Sequence, residues 1–434
     1  MKRRRLPRFR PRLGFPQILG LLTAFLLVIA LIFILYQPKV TLTFVVPAPE
    51  APAWKPLIEE FQANNPGIHI EIVDKQDDEV ETTYTSALGT ANSPYELDLV
   101  YMDIIWVPKF AEKGWLMDLT EQFPNEKLDE EFLRGDVNGG RYQGKIYRIP
   151  FRSDVGVLYY RKDLLDQAGY RQAPTTFTEL IEISRTLKKQ GKAPWGYLWQ
   201  GGQYEGLAAM FVEVLQGYGG FWIKPETREV GLDKPAAIEA VKFLRSLIQE
   251  KITPLAVTDY DEQVTRRLFQ DGDAVFLRNW PTVWSQVNAA DSSVRGKIAF
   301  TPMVHAPGYR GGGCQGGWGL GIAKTTKHPE EALKAIKFFT STAAQRKFVL
   351  ESDLSIMPSR RNLFIDPQIV DRYSHYPKLL EVIDYSVLRP PIPLYTEASS
   401  ILQKYLSAAL RGKQNPQAAM QAAANETRKL LKNN

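Results

Sequence analysis

Two carboxylates, Asp103 and Asp154, stand where a folded chain could use them for chemistry. Asp103 follows a predicted strand at residues 97–102, and Asp154 lies in a short polar patch within residues 150–165, ahead of a β-branched and aromatic run. Carboxylates at strand ends accept hydrogen bonds from hydroxyl groups, and a pair of them can also be the acid and base of a glycosidase. The two residues therefore leave both a binding site and a hydrolytic site open.

Two tryptophans stand outside the periodic apolar faces that form a core. Trp280 directly follows a predicted strand and precedes Pro281, and Trp318 lies among glycines in the run GGWG at 316–319. Either indole alone would suit a core. Together with strand-end carboxylates they suit a sugar better, because the C–H faces of a pyranose pack on aromatic rings and its hydroxyls need charged or amide partners.

Signatures of other chemistries are missing from the sequence. The four histidines are isolated, without the His-Glu-x-x-His spacing or the cysteine cluster of a zinc site. Residues 311–316 match G-x-G-x-x-G, but they follow Pro307-Gly308 and no strand, so a flexible loop is predicted there. Cys314, the single cysteine, is predicted to be a small buried residue and not a nucleophile. No cofactor and no metal are expected.

The excess of positive over negative charge comes from the N-terminus of the chain. The formal net charge is +6, and the first twelve residues carry seven lysines and arginines with no acid. Removing those seven charges from +6 leaves −1 for the rest of the chain. No basic surface is left to contact phosphates, so nucleic acid is excluded as a partner.

Residues 18–36 carry no charge over nineteen positions. A helix of that length spans about 28 Å, close to the hydrocarbon core of a bilayer. The arginines before it place the N-terminus in the cytoplasm and the body of the chain outside. Residues 1–39 are therefore predicted to form a cytoplasmic basic segment and a membrane anchor, with a cleaved signal peptide as the alternative.

The remaining chain alternates strand and helix signals. Strands are predicted at 41–46, 68–73 and 97–102 with helices between them, which is the order of a parallel sheet covered by helices. A hairpin at 139–150 leads into residues 150–165, where the chain is predicted to cross from one lobe to the other.

A chain of 434 residues needs more than one core, yet no linker segment separates two halves. We therefore expect an α/β fold with two lobes that share hinge strands. Lobe 1 is predicted to comprise residues 40–153 plus 299–355, and lobe 2 residues 154–298 plus 356–434.

Several motifs of one known family occur here in order. They are LVYMDIIW at 99–106, EKGWL at 112–116, SDVGVLYYRKDLL at 153–165, WQGGQYEG at 199–206, RNWP at 278–281, GGWG at 316–319 and RPPIP at 389–393. With these motifs the chain resembles the extracellular solute-binding proteins of ATP-driven (ABC) sugar importers, particularly the trehalose- and maltose-binding branch. The resemblance covers about residues 41–431.

The resemblance implies a two-lobed periplasmic-binding-protein-like fold, preceded here by the N-terminal transmembrane helix, with a ligand between the lobes. Carried over position by position, it implies ligand-binding roles for Asp103, Asp154, Trp280, Gly317, Trp318 and Arg389. Glu50 occupies the place of a polar contact, although VPAPE at 46–50 departs from the wording usual in the family. Tyr204 and Glu205 match a family motif, and the alternative for Glu205 is that it only caps the following helix.

The resemblance also implies partners and a location. The partners are a small sugar or glycoside, membrane permease subunits and their cytoplasmic ATPase, and the location is the periplasmic or extracytoplasmic side of the cytoplasmic membrane. No enzyme activity and no cofactor are implied. A membrane-anchored glycoside hydrolase that uses Asp103 and Asp154, and a sugar-sensing receptor component, are the alternatives.

Overall fold

The computed structural model describes residues 40–90, 96–352, 354–383 and 385–433, together with Thr23, Phe25 and Leu26. Apart from those three residues, the predicted anchor at 18–36 lies outside the described part of the chain. Among the residues that are described, no helix has both the length and the apolar character needed to cross a bilayer.

The larger of two sheets combines parallel and antiparallel strand pairs. Its neighbouring strands lie in the order Met357–Pro358, Ile149–Val155, Gly313–Ile322, Leu99–Asp103, Val40–Pro47 and Ile68–Lys75. The strands nearest the start of the chain pair in parallel, as their predicted alternation with helices requires. The strand Gly313–Ile322 runs antiparallel to both of its long neighbours, and Ser386–Val387 pairs with its first residues.

The smaller sheet contains strands from the middle of the chain. Its order is Ile298–Thr301, Val157–Arg161, Ala274–Asn279 and Trp195–Leu198. The lobe boundaries given above stay a prediction, but the strand that begins at Ile298 pairs wholly with Val157–Arg161 and so belongs to this sheet. The chain returns to the larger sheet only at Gly313.

The chain crosses between the sheets at Gly156. Ile149–Val155 lies in the larger sheet and Val157–Arg161 in the smaller one, so a single residue separates two strands of different sheets. A side chain at this position has no room, because a Cβ on Gly156 would lie 1.9 Å from a carboxylate oxygen of Glu213. The crossing predicted for residues 150–165 is present at this glycine.

Helices cover the sheets and join their strands. In chain order the α-helices are Ala51–Asn64, Asp77–Gly89, Val107–Glu112, Asn125–Glu131, Arg134–Asn138, Lys162–Gln167, Phe177–Lys189, Glu205–Gly217, Pro235–Gln249, Glu262–Asp271, Val283–Val287, Pro329–Phe339, Thr342–Glu351, Pro367–Arg372, Tyr376–Ile383, Tyr395–Leu410 and Pro416–Asn433. Short 3-10 helices occupy Ile104–Trp106, Leu255–Asp259 and Arg361–Ile365.

The helix Phe177–Lys189 shows how local sequence sets such an element. The Thr176 hydroxyl accepts from the Glu179 N–H at 3.2 Å, and the Glu179 carboxylate accepts from the Thr176 N–H at 3.0 Å. This capping box contributes about 1 kcal/mol to the helix start. One face then buries Phe177, Leu180, Ile183, Ser184 and Leu187 in the core beside the smaller sheet. The two C-terminal helices pack into the same core.

Of two local predictions, the hairpin at 139–150 is confirmed and the loop at 311–316 is partly wrong. The hairpin expected at 139–150 is confirmed, because Arg141–Tyr142 pairs with Lys145–Ile146. The flexible loop expected at 311–316 is wrong from Gly313 onward, where the chain is a paired strand. Glycine has low strand propensity, but a Cβ at Gly313 would lie 1.9 Å from the Gly156 carbonyl oxygen, so close backbone packing overrides that propensity.

Candidate ligand-binding site

A cavity of about 500 Å³, here called the cleft, is lined by strands of both sheets. Eight of the nine predicted positions line it, namely Asp103, Asp154, Tyr204, Glu205, Trp280, Gly317, Trp318 and Arg389. The ninth, Glu50, is absent from the lining and lies behind it, against Arg152. The structure thus brings together positions that are far apart in sequence.

Asp103 ends its strand at the edge of the cleft. Its Oδ1 accepts from the Ile105 N–H at 3.1 Å, which caps the 3-10 helix Ile104–Trp106. The same oxygen faces Arg389 Nη2 at 3.4 Å. Capping fixes the direction of the carboxylate. Asp103 Oδ2 takes part in neither of these two contacts, so it can accept a hydrogen bond from a hydroxyl group.

Asp154 is held in place by a buried polar network. Arg152 Nη1 lies 2.5 Å from Asp154 Oδ2, and Arg152 Nη2 lies 2.8 Å from Glu50 Oε1. Tyr101 donates its hydroxyl to Glu50 Oε2 at 2.9 Å and accepts from Arg152 Nε at 3.1 Å. Glu50 therefore acts on the cleft through Arg152, whereas the sequence prediction had it contact the ligand.

The environment of Asp154 raises its pKa. Burial is the largest cause and raises the pKa from 3.8 to about 6, with smaller contributions from the nearby Glu50 and Asp103 carboxylates. The Arg152 guanidinium acts in the opposite direction and lowers the pKa. Asp154 consequently titrates close to neutral pH, so hydrogen bonds that it accepts depend on pH.

Trp318 lines the larger-sheet side of the cleft. Its ring lies 5.0 Å from the Tyr101 ring and 5.1 Å from the Trp106 ring between centroids, the second pair edge-to-face. Gly317 next to it has φ +116°, and a Cβ there would lie 2.7 Å from the Arg152 carbonyl oxygen. Only glycine fits this backbone, and a register shift directly after Trp318 marks an irregularity in the strand pairing.

Trp280 lines the smaller-sheet side of the cleft. The Arg278 guanidinium lies 4.1 Å from its ring centroid, and Trp280 Nε1 donates to Glu262 Oε1 at 3.2 Å. Arg278 in turn pairs with Glu213 Oε1 at 2.5 Å, and both side chains are fully buried. A cation beneath the ring and an acceptor at its edge fix the indole before any ligand arrives.

Glu205 holds the Arg389 side chain in the cleft. Its Oε1 accepts from Arg389 Nη1 at 2.8 Å and from the Tyr395 hydroxyl, and its Oε2 accepts from the Ser399 hydroxyl at 2.7 Å. The N-cap residue of its helix is Tyr204, and the side-chain bonds of Glu205 run to Arg389, Tyr395 and Ser399. Capping alone therefore does not explain Glu205, because its carboxylate holds Arg389 in position. Tyr204 donates to the Glu262 carboxylate.

Sequence reasoning missed two charged residues of the cleft. Arg152 lines the cleft and binds Asp154. It could have been predicted from the strand pattern, because residues two apart on a strand, such as Arg152 and Asp154, point to the same face. Glu262 lines it and accepts from both Trp280 and Tyr204. Its position in the first turn of a helix gave no signal, because acids are common there in any helix.

The side chains that line the cleft suit a ligand that has both hydroxyl groups and apolar faces. The described residues contain no group of histidine, cysteine and carboxylate side chains suited to hold a metal ion. Cys314 is buried as predicted, and burial raises its thiol pKa to about 12, which keeps it protonated near neutral pH. Two indole faces with carboxylates and a guanidinium match the alternating apolar and polar surfaces of a polyol or sugar.

A cleft between two α/β lobes that share crossing strands defines the class of two-lobed solute-binding proteins. Residues 47–346 match the bacterial extracellular solute-binding protein family, and this match spans more than half of the chain. The chain therefore belongs to that family.

Individual relatives agree with this assignment. A probable ABC transporter-binding protein of Deinococcus radiodurans is 28% identical over 340 residues, which are 77% of this chain and 79% of that protein. The maltotriose-binding protein of Pyrococcus abyssi is 27% identical over 323 residues, 74% of this chain and 66% of that protein. The maltose-bound T. maritima MalE3 structure is 36% identical with a TM-score of 0.77, covering 90% of this chain and 99% of that chain.

Proposed function

We propose that this chain is the extracytoplasmic sugar-binding component of an ABC importer. It captures a disaccharide or small glycoside in the cleft as the lobes close about the hinge strands, and it delivers that ligand to the permease. The ligand itself is inferred from the chemistry of the cleft and from the relatives, whose names include maltotriose and maltose.

One observation carries this proposal. Trp280 directly follows a strand of the smaller sheet, Trp318 belongs to the larger sheet, and both line one cavity together with Asp154 and Arg389. A pyranose between two indoles covers its apolar faces, while its hydroxyls meet a carboxylate and a guanidinium. A ligand that touches both lobes only when they are closed has the differential affinity that a conformational shift requires.

The size of the cleft is consistent with such a ligand. Its volume of about 500 Å³ lies in the range of about 300–1,000 Å³ that holds small-molecule ligands in proteins. Each arginine of the lining is paired with a carboxylate of the lining and is thus pre-oriented, Arg389 with Glu205 and Arg152 with Asp154. Pre-orientation lowers the entropy that binding has to overcome.

Isothermal titration calorimetry of the full chain against trehalose, maltose, sucrose and glycosylated polyols tests the proposal. We expect saturable one-site binding of at least one of them, with no products detected by chromatography of the same samples. Absence of binding to every carbohydrate in the panel would overturn the proposal.

Glycoside hydrolysis has one observation in its favour. A carboxyl with a pKa of about 6, as Asp154 has, suits a general acid, and Asp103 lines the same cleft. The family relatives are solute-binding proteins, which favours binding without turnover. Release of monosaccharide in the calorimetric samples, lost in Asp154→Asn, would establish hydrolysis instead.

The mode of attachment to the membrane belongs to the same proposal. An uncleaved helix at 18–36 would hold the cleft close to the bilayer, because the first strand begins at Val40. Mass spectrometry of protein extracted from membranes tests this, since a mature N-terminus beyond residue 36 would contradict an anchor. A sensor role instead of transport predicts sugar binding by a chain that has no permease partner.

A further inference from the structure

A second cavity, here called the hinge cavity, is larger than the cleft. Its volume is about 710 Å³, and the residues that line it include Arg134, Arg310, Gln315 and Ser386. None of its lining residues also lines the cleft. The two cavities are therefore separate spaces in the same molecule.

The hinge cavity and the cleft lie on opposite sides of the hinge segments. Gln315 lines the hinge cavity while the next residue, Gly316, lines the cleft. In the same way Leu388 lines the hinge cavity and Arg389 the cleft. Successive residues of an extended chain point to opposite faces, so these segments form a wall with one cavity on each side.

The charged side chains among the described residues that line the hinge cavity are all arginines. Three arginines belong to its lining, and no aspartate or glutamate is among the described residues that line it. Neither Arg134 nor Arg310 forms an ion pair with a described residue, and the Arg310 guanidinium packs on the Tyr385 ring at 3.2 Å from its centroid. Guanidinium groups bind carboxylates and phosphates through paired hydrogen bonds.

The glycines of the 311–316 motif form part of this cavity. Gly311 and Gly312 line it, and both are packed against neighbouring backbone. A Cβ at Gly311 would lie 1.8 Å from the Met303 carbonyl oxygen, and one at Gly312 would lie 2.6 Å from the Tyr385 carbonyl oxygen. Close backbone packing therefore requires glycine at both positions, and these two residues place no side chain in the hinge cavity.

The two arginines are attached to different lobes. Arg134 begins a helix whose Val137 packs in the core beside the larger sheet. Arg310 lies in a loop that is attached to the other lobe by two backbone hydrogen bonds. The His305 N–H donates to the Thr175 carbonyl at 3.1 Å, and the Ala306 N–H donates to the Gly217 carbonyl at 2.8 Å. A ligand that binds both arginines therefore connects the lobes on the side away from the cleft.

We propose that the hinge cavity is a binding site for a small polyanion with carboxylate or phosphate groups, and that its occupation weakens sugar binding. Closing the cleft moves the lobes together on one side of the hinge wall and apart on the other. An anion that bridges Arg134 and Arg310 keeps the hinge cavity narrow and so favours the open cleft. The coupling to sugar rests on the proposed function, whereas the anion site does not.

The first arm of the test measures anion binding without sugar. The full chain is titrated with citrate and with pyrophosphate in calorimetry, against sodium chloride at equal ionic strength. We expect saturable binding that weakens about tenfold or more in Arg134→Ala and in Arg310→Ala, because each loses a charge-assisted contact. Arg171→Ala removes an exposed arginine outside both cavities and should bind as the wild type does.

The second arm measures sugar affinity with and without saturating anion. We expect about a fivefold or greater loss of sugar affinity, absent in the double variant Arg134→Ala/Arg310→Ala. No binding of either anion above the chloride background, or equal binding by all three single variants, overturns the site. Sugar affinity that is unchanged at saturating anion overturns the coupling. A chain that binds anion but no carbohydrate refutes only the sugar proposal.

Discussion

Replacement of Trp318 by alanine tests whether the cleft uses this indole as a ring platform. Tyr101 and Trp106 pack on the indole and the Arg152 guanidinium lies 5.4 Å from its ring centroid, so only part of the ring is open to the cleft. An aromatic side chain buries about 150–250 Å² in total, so we take roughly 75–100 Å², which is half of it or less, for the part of the ring that a ligand can cover. At about 25 cal/mol/Å² that area corresponds to roughly 2–2.5 kcal/mol. The expected loss of sugar affinity is therefore about 30–70-fold.

The same substitution also affects folding, and the assay has to separate the two effects. Loss of two ring–ring contacts and part of a buried indole should lower the free energy of unfolding by about 2–3 kcal/mol. Affinity is therefore measured by calorimetry at a temperature where circular dichroism shows the variant fully folded. Trp195→Ala is the matched control, because Trp195 is also half-buried but lies outside the cleft.

Two outcomes would contradict a platform role for Trp318. If folded Trp318→Ala binds sugar within about twofold of the wild type, Trp318 is a core residue and not a platform. If Trp195→Ala loses as much affinity as Trp318→Ala, the loss reflects general destabilisation of the fold.

Three further predictions address pH, the buried ion pair and the glycine beside the platform. Sugar affinity measured by calorimetry should fall about tenfold from pH 7 to pH 5, because a pKa of about 6 leaves about a tenth of Asp154 ionised at pH 5. The variant Asp154→Asn should lose this pH dependence. The stability of the fold should change with pH in the opposite direction. The folded state binds the Asp154 proton more tightly than the unfolded state does, so the free energy of unfolding, measured by urea titration, should decrease as pH rises from about 4 to 6. Glu213→Gln should cost about 3–5 kcal/mol in urea denaturation because it leaves the buried Arg278 charge unpaired, whereas Glu239→Gln, in an exposed pair, should cost less than about 1 kcal/mol. Gly317→Ala should lower stability by about 1–3 kcal/mol and shift the thermal midpoint more than Gly308→Ala, which has positive φ but open space around it.

The crossing between lobes could be predicted from the sequence. Residues 150–165 combine a polar patch with a β-branched and aromatic run, and the structure places one strand of each sheet around Gly156. The pattern sufficed because a strand buried on both faces leaves a continuous apolar signal that local sequence carries.

The strand Gly313–Ile322 could not be predicted over its whole length. Three of its first five residues are glycines, which disfavour a strand, and the sequence predicted a flexible loop at 311–316. What makes it a strand is contact with partners distant in sequence, as the pairing of Gln315 with Val155 shows. Such tertiary effects leave no trace in the local pattern.

The positions in the cleft were easier to predict than their interactions. The residue type and the position at a strand end pointed to Asp103 and Asp154. They did not indicate that Arg389 pairs with Asp103 or that Arg152 pairs with Asp154. Glu50 illustrates the limit, since its place after the first strand is as expected while its carboxylate binds Arg152 behind the cleft. Contacts of this kind depend on side-chain directions across three separate strands and cannot be read from spacing.

A crystal structure of the chain with the sugar selected by calorimetry would show directly whether the cleft is the sugar site. We expect a pyranose ring between Trp280 and Trp318, with hydroxyl groups on Asp154 and Arg389 and with both lobes in contact with the ligand. A sugar bound in the hinge cavity or on the outer surface, with the cleft empty, would contradict the proposed sugar site.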